Sequence, residues 1–377
     1  MSERALRDLA ALGVAISYDN IGRDLIVSGR LARMIEEDGI SGETANPIIY
    51  EKAVSTTDMY DPEIAELAAE GWSAERIVME LWVRDVQMAC DVFRPVWEAS
   101  GHVDGYVSLE LPPSLAHDAQ ATIEAARAVR TRVDRPNLAL KIPSTPESFE
   151  AIETCVFEGV NVNATVIFSP ATYERVVQAF RRGLERRLAA GLSLDLTSFA
   201  SVFLSRYDAP VDEILMSRIR AASDPGEIAT LKSVLGTVSI ASARHIARRF
   251  RQFHDGPEFA PLRAAGAREQ RPLWAGVVAR NSRYGDVTYM EAMAIPGTAI
   301  TASDAPVDGF RLHGIALVAE DDGSADVAMD TFRTLGIDVA RIAIEMEQSV
   351  VASFTEAFDL LVAGVEVKAA AVRSAVA

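Results

Sequence analysis

Residues able to do chemistry recur where short apolar runs end. Asp19 follows the run at 14–18, Thr44 and Asn46 close the one at 42–45, and Glu110 ends YVSLE. Lys141 lies inside NLALKIPST, and Asn163 and Thr165 alternate within NVNATVIF. Ser201, Phe203 and Arg206 share ASVFLSR, and Arg280 follows RPLWAGVVA. Carboxylates with an amine are the parts of acid–base and carbonyl chemistry, and guanidinium groups bind anions. Lys141 is the most informative of these. Only four of the 37 lysines and arginines are lysine, and this one stands in a run that reads as a buried strand. Burial disfavours an ammonium and lowers its pKa. The neutral amine attacks a ketone to form a Schiff base, and the iminium then draws electrons from an adjacent carbon–carbon bond. No metal is needed for this. A structural pairing of Lys141 with Glu110 is the competing reading, and the residues alone leave both open. The other positions also have structural explanations. Asp19 and Asn46 are favoured helix caps, Asn163 and Thr165 suit a satisfied polar core, Arg206 can pair with Asp208, and Glu110 can be a solvated strand end.

These positions need elements to bring them together. Eight short apolar runs alternate with amphipathic helices, at 14–18, 42–45, 106–111, 138–142, 160–167, 199–204, 273–278 and 288–295. Helical periodicity fills the intervals, notably 21–37, 73–99, 116–132 and 170–190. The pattern predicts an α/β fold, a single (β/α)8 TIM barrel with additional helices and a long C-terminal helix. It is read as one domain over 1–377, with a helical insertion at about 209–270 and a C-terminal helical region at about 304–375. The alternative, a doubly wound open sheet, usually carries a glycine fingerprint after its first strand, and SYDNIGRDL has none. In a barrel, catalytic groups sit at the C-terminal ends of the strands, where the polar residues named above fall.

Composition narrows the partners. The chain has 377 residues, 49% hydrophobic and 24% charged, with a net charge of −17. An acidic field disfavours nucleic acid or an anionic membrane as partner. No apolar run has the length of a membrane span, and the N-terminus is not signal-like. Two isolated cysteines and five scattered histidines give neither a disulfide framework nor a metal site. The expectation is a cytoplasmic protein with no metal or cofactor, a monomer or homodimer acting on a small molecule.

Six segments in order, DNIGRDLIVSGRLARMIEEDGISGETANPIIYEKA, DGYVSLEL, RPNLALKIPST, EGVNVNATVIFS, ASVFLSR and RPLWA, resemble the transaldolases. The similarity is strongest to the long, actinobacterial form and covers nearly the whole chain. It implies a Schiff-base enzyme of carbohydrate metabolism, in the pentose phosphate pathway. Such an enzyme moves a dihydroxyacetone unit from fructose 6-phosphate or sedoheptulose 7-phosphate to an aldose phosphate. The resemblance makes Lys141 the Schiff-base residue and Asp19 the acid/base on the substrate hydroxyl. It assigns Glu110 and Thr165 to the catalytic water. Thr44, Asn46, Asn163 and Ser201 would hold the three-carbon unit, Phe203 would form an apolar wall, and Arg206 with Arg280 would bind phosphate. The apolar Phe203 favours transfer over an aldolase releasing free dihydroxyacetone, and the retained Asp19, Glu110 and Lys141 argue against a silent sugar-phosphate-binding barrel.

The sequence departs from the family pattern in four places. GETANP replaces a pattern closer to GVTSNP, NAT replaces NVT or NLT, and SYDN replaces a WLD-type start. WAGVVARN lacks the usual Ser-Thr-Gly, which puts Gly276, Val277 and Val278 where hydroxyls meet the acceptor or its phosphate. The expectation is intact Schiff-base machinery with an altered rim and an unusual donor or acceptor.

Overall fold

The computed structural model describes residues 5–281 and 283–376, with side chains through residue 371. Eight parallel strands close into a barrel in sequence order, β8 pairing back with β1. They are β1 (Ala15–Asp19), β2 (Gly42–Thr44), β3 (Tyr106–Glu110), β4 (Leu138–Pro143), β5 (Val162–Ile167), β6 (Ser198–Phe203), β7 (Gln270–Ala275) and β8 (Ala299–Ala302). Helices connect them, so the chain is a (β/α)8 barrel with a long C-terminal helix, Val339–Val376.

Strand alternation decides what faces the lumen. Ile16, Leu109, Leu140, Ile142, Val162 and Trp274 point outward into the main apolar core under the helices. Burial of each such side chain contributes about 1.5–3 kcal/mol. Tyr106, Ala139, Phe199, Leu273 and Ala299 point inward and form a separate cluster that plugs the lower barrel. The next inward positions toward the C-terminal ends are polar, and they form the site. Capping fixes where several helices begin. Asn46, Ser73, Asp118 and Ser169 each accept a hydrogen bond from a backbone N–H of the first turn.

Three sequence expectations need correction. The periodic stretch 21–37 is two helices, Arg23–Val27 and Arg30–Asp38, broken at Gly29, whose φ is +70°. The seventh strand begins at Gln270 and stops at Ala275, because Gly276 turns the chain at φ +65°. The run at 288–295 is no strand. It holds the short helix Thr288–Ala292, with Tyr289 and Met290 buried, and the eighth strand follows at Ala299–Ala302. The region 209–270 is mostly helical, with Ser205–Ala221, Pro225–Ser233, Val238–Asp255 and Ala260–Ala264 joined by short non-helical segments, and it ends on Gln270, the first residue of β7. Beyond β8 the helices are Asp304–His313, Ser324–Thr334 and Val339–Val376, with a non-helical segment at 314–323. Among the described residues no helix is long and apolar enough to cross a membrane.

Candidate active site

Backbone register aligns the chemical groups. Glu110 pairs with Lys141 across β3 and β4, and Lys141 pairs with Asn163 across β4 and β5. Asp19 pairs with Thr44, and Thr44 with Ser108. Lys141 donates from Nζ to the Ala45 carbonyl at 3.0 Å and lies 3.8 Å from Glu110 Oε2. Lys141 is 4% exposed and Glu110 fully buried. Neither Glu110 carboxyl oxygen has a hydrogen-bond partner among the described residues. Burial raises Glu110 to about 7, Lys141 opposing the rise and Asp19 adding to it. Asp19 is half-buried as a whole residue. Burial of its carboxyl raises its pKa, against Lys141, the Thr44 hydrogen bond and Arg206.

Lys141 is buried as its run suggests, but its apolar neighbours do not surround the amine. Leu138, Leu140 and Ile142 face the helices. The amine instead meets the Ala45 carbonyl and the Glu110 carboxyl, and its charge also acts on Asp19.

A ring of amides and hydroxyls lies beside this centre. Asn163 donates from Nδ2 to Ser108 Oγ at 3.1 Å and accepts from Ser201 Oγ at 2.6 Å. Ser108 was missed in the sequence, although it stands two residues before Glu110 on the same strand face. Thr165 is fully buried, and its Oγ1 has no partner among the described residues. The register of β5 against β6 shifts between Ala164 and Ile167, and Val166 takes φ +64°. Thr165 keeps its inward position, while Val166 joins the apolar cluster of Phe168, Phe203 and Tyr207 above the barrel. A bulge of this kind re-aims side chains at a strand end. Thr44 donates to Asp19 Oδ1 at 2.7 Å and contacts Thr301 Oγ1 at 2.6 Å. Asn46 caps the helix Pro47–Ser55 through Oδ1, bonding the N–H groups of Ile48 and Ile49 at 3.1 and 3.2 Å. The capping explanation is therefore correct for this oxygen, and only the amide nitrogen is left for another partner.

Two arginines stand after β6 and β7. Arg206 lies in the first turn of Ser205–Ala221, an end that favours anions. Burial, and then the charge of Arg280, lower its pKa, with Asp19 opposing. Neither arginine forms an ion pair among the described residues, so the alternative explanation of Arg206, a pair with Asp208, does not hold. Asp208 instead binds Ser239 and Tyr289. Arg280 is exposed and borders a cavity of about 410 Å3 with Ser205, Asp212, Asn281 and Tyr284. Phe203 is buried against Phe168, ring centroids 5.6 Å apart. Gly276 accepts from Ser205 N at 3.0 Å. A Cβ at Gly276 would meet nothing nearer than Leu204 N at 3.6 Å, so its positive φ rather than space favours glycine. Val277 is buried and Val278 is exposed. Among the described residues no group of three or more His, Cys, Asp or Glu could hold a metal ion.

The arrangement brings a buried amine, two carboxyl groups, a hydrogen-bonding ring and two arginines, unpaired among the described residues, to one end of one barrel. Comparison with known proteins points the same way. Residues 16–365 match the family described as Transaldolase/Fructose-6-phosphate aldolase. The transaldolase of Acidothermus cellulolyticus is 38% identical over 364 residues, 96% of this chain and 95% of its own. That of Thiobacillus denitrificans is 38% identical over 362 residues, 95% of this chain and 98% of its own. That of Thermobifida fusca is 36% identical over 362 residues, covering 94% and 96%. The chain is an enzyme, a transaldolase, and it belongs to the transaldolase/fructose-6-phosphate aldolase family.

Proposed function

We propose that Lys141 forms a Schiff base with a ketose phosphate and passes its dihydroxyacetone unit to an aldose phosphate. The supporting observation is the buried Lys141 Nζ, 3.8 Å from a Glu110 carboxyl held at about 7. The amine attacks the ketone, and the carbinolamine loses water. Glu110, with Thr165, donates and recovers the protons of that water. Asp19 removes the proton of the substrate hydroxyl, the carbon–carbon bond breaks, and its electron pair flows into the iminium to give an enamine. The first aldehyde leaves, and the enamine carbon attacks the second. Asp19 returns the proton to the new alkoxide, and water hydrolyses the iminium to free Lys141. Asn163 and Ser201, with the Asn46 amide, hold the three-carbon unit so that the second addition is an oriented reaction. Arg206 and Arg280 hold the phosphate, since guanidinium keeps its charge at any working pH.

The glycine at 276 removes a hydroxyl position beside Phe203 and the arginines. It supports a donor or acceptor different from the common pair of fructose 6-phosphate and erythrose 4-phosphate. The test is borohydride reduction of the enzyme with ketose phosphates, followed by peptide mapping. Label is expected on Lys141 and absent in Lys141→Met. No label with any ketose phosphate, or label on Lys52 alone, overturns the reading. Ordinary selectivity for the common pair overturns the altered rim alone.

A further inference from the structure

β1 is flanked by β2 on one side and β8 on the other, so closure of the barrel brings side chains from both to Asp19. Thr44 arrives from β2 and Thr301 from β8. Both are buried, at 2% and 3% exposure. Thr301 Oγ1 lies 2.6 Å from Thr44 Oγ1, and Thr44 Oγ1 donates to Asp19 Oδ1 at 2.7 Å.

Proton counting fixes the direction of this chain. An ionised carboxylate only accepts, and each hydroxyl has one proton to give. When Asp19 is the base, the Thr44 proton is committed to it. The proton of the Thr44–Thr301 contact must then come from Thr301. Hydrogen bonds in such a chain polarise one another, so donation by Thr301 strengthens donation by Thr44.

We propose that Thr301 is a positioning residue for the transfer reaction, holding the Thr44 hydroxyl so that its proton stays on Asp19. It acts through Thr44 and touches no substrate. The proposal rests on the reading of Asp19 as the base. It also gives Thr44 a different task from holding substrate, because its only proton is spent on Asp19.

Thr301→Val keeps the shape and removes the hydroxyl, and Thr301→Ser keeps the hydroxyl and removes a methyl. The test measures kcat and KM for a ketose phosphate donor across pH in both variants. Thr301→Val is expected to lower kcat about tenfold, the scale of one hydrogen bond in a charged chain. Its KM should be nearly unchanged, and the acidic limb of kcat/KM should move to higher pH because ionised Asp19 has lost support. Thr301→Ser is expected to restore both the rate and the limb. If Thr301→Val does not fold, Thr301→Ala takes its place. An acidic limb that stays where the parent has it, or a serine variant no better than the valine one, overturns the proposal. Asp19→Asn separates the two ideas. Full turnover in that variant overturns Asp19 as base, whereas an inactive Asp19→Asn with an unmoved limb in Thr301→Val overturns Thr301 alone.

Discussion

Glu43 carries a carboxyl to the outward side of β2, near Asp85, and neither of its oxygens has a partner among the described residues. Burial first, and then Asp85, push its pKa well above the carboxylate range. The folded chain therefore keeps a proton that the unfolded chain releases above its ordinary pKa. Stability from this group is full below that pKa and falls as pH rises toward the folded value. Glu43→Val removes both the titration and an unsatisfied buried group. It is expected to stabilise the protein by about 1–3 kcal/mol at neutral pH, with a smaller gain near pH 4. Urea midpoints at the two pH values check this, and an unchanged midpoint at neutral pH would remove the argument. Glu110 differs in having Lys141 beside it. Its value of about 7 predicts a limb near neutrality in kcat/KM. Glu110→Gln is expected to lose that limb and about a hundredfold in rate, the usual scale of general acid–base help. A pH profile with the same limb in the glutamine variant would show that another group titrates there.

Val166 links element geometry to the site. An L-residue in the left-handed region costs about 1–2 kcal/mol, and β-branched valine is least suited to it. Here the bulge in β5 requires φ +64°, and the Val166 side chain fills the cluster above the barrel. Alanine removes the side chain and keeps most of the backbone cost, while glycine removes both. Val166→Gly is thus expected to be more stable than Val166→Ala by about 1 kcal/mol, the reverse of the usual order inside a strand. Thermal midpoints of the pair decide it, and alanine the more stable of the two would mean that the bulge stores no strain. Bulges leave no mark in a run such as NATVIF, where alternation reads straight through. The strand ends were legible for β1 to β6 because each apolar run meets a polar residue and then a helix signal. Strands seven and eight were not. RPLWA reads on into GVV by apolar content, and the positive φ of Gly276 that stops it is invisible in composition. Tyr289 and Met290 looked like strand residues because buried aromatic side chains suit either element, whereas AITA is short and weak in β propensity. Misplacing β8 hid Thr301. Arg280 was placed just past a strand end, but it stands on a loop beyond the turn at Gly276.

Buried carboxyl groups set the pH response of the whole molecule. Glu43, Asp85, Glu110, Asp208 and Glu347 all have raised pKa values with burial as the leading cause, Glu347 to about 6 and Glu110 to about 7. Each contributes stability that is present below its unfolded pKa and lost as pH rises through its folded one. The carboxylates with lowered values, such as Glu158 and Asp326, pair with arginines nearer the surface, where solvent screens the gain. Their stability is present above the ordinary pKa and is lost only at acid pH. The net charge of −17 adds repulsion that also grows with pH. Thermal stability is therefore expected to peak at about pH 5–6 and to fall through neutrality, toward the acid end of the range usual for proteins. Glu347 makes the effect local. It lies in Val339–Val376 and accepts from Thr172 Oγ1 at 2.6 Å, and the same helix accepts from Tyr207 OH at the Val339 carbonyl. Ionisation of Glu347 above about pH 6 is therefore expected to weaken the seat of that helix over the barrel. Glu347→Gln should flatten the alkaline fall and slow hydrogen exchange in 339–376 at pH 8, with little change at pH 5. Added salt should recover only the surface repulsion, because buried groups are screened little. A midpoint that rises from pH 6 to 8, or a glutamine variant with parental exchange at pH 8, would mean that the buried carboxyl groups do not govern the response.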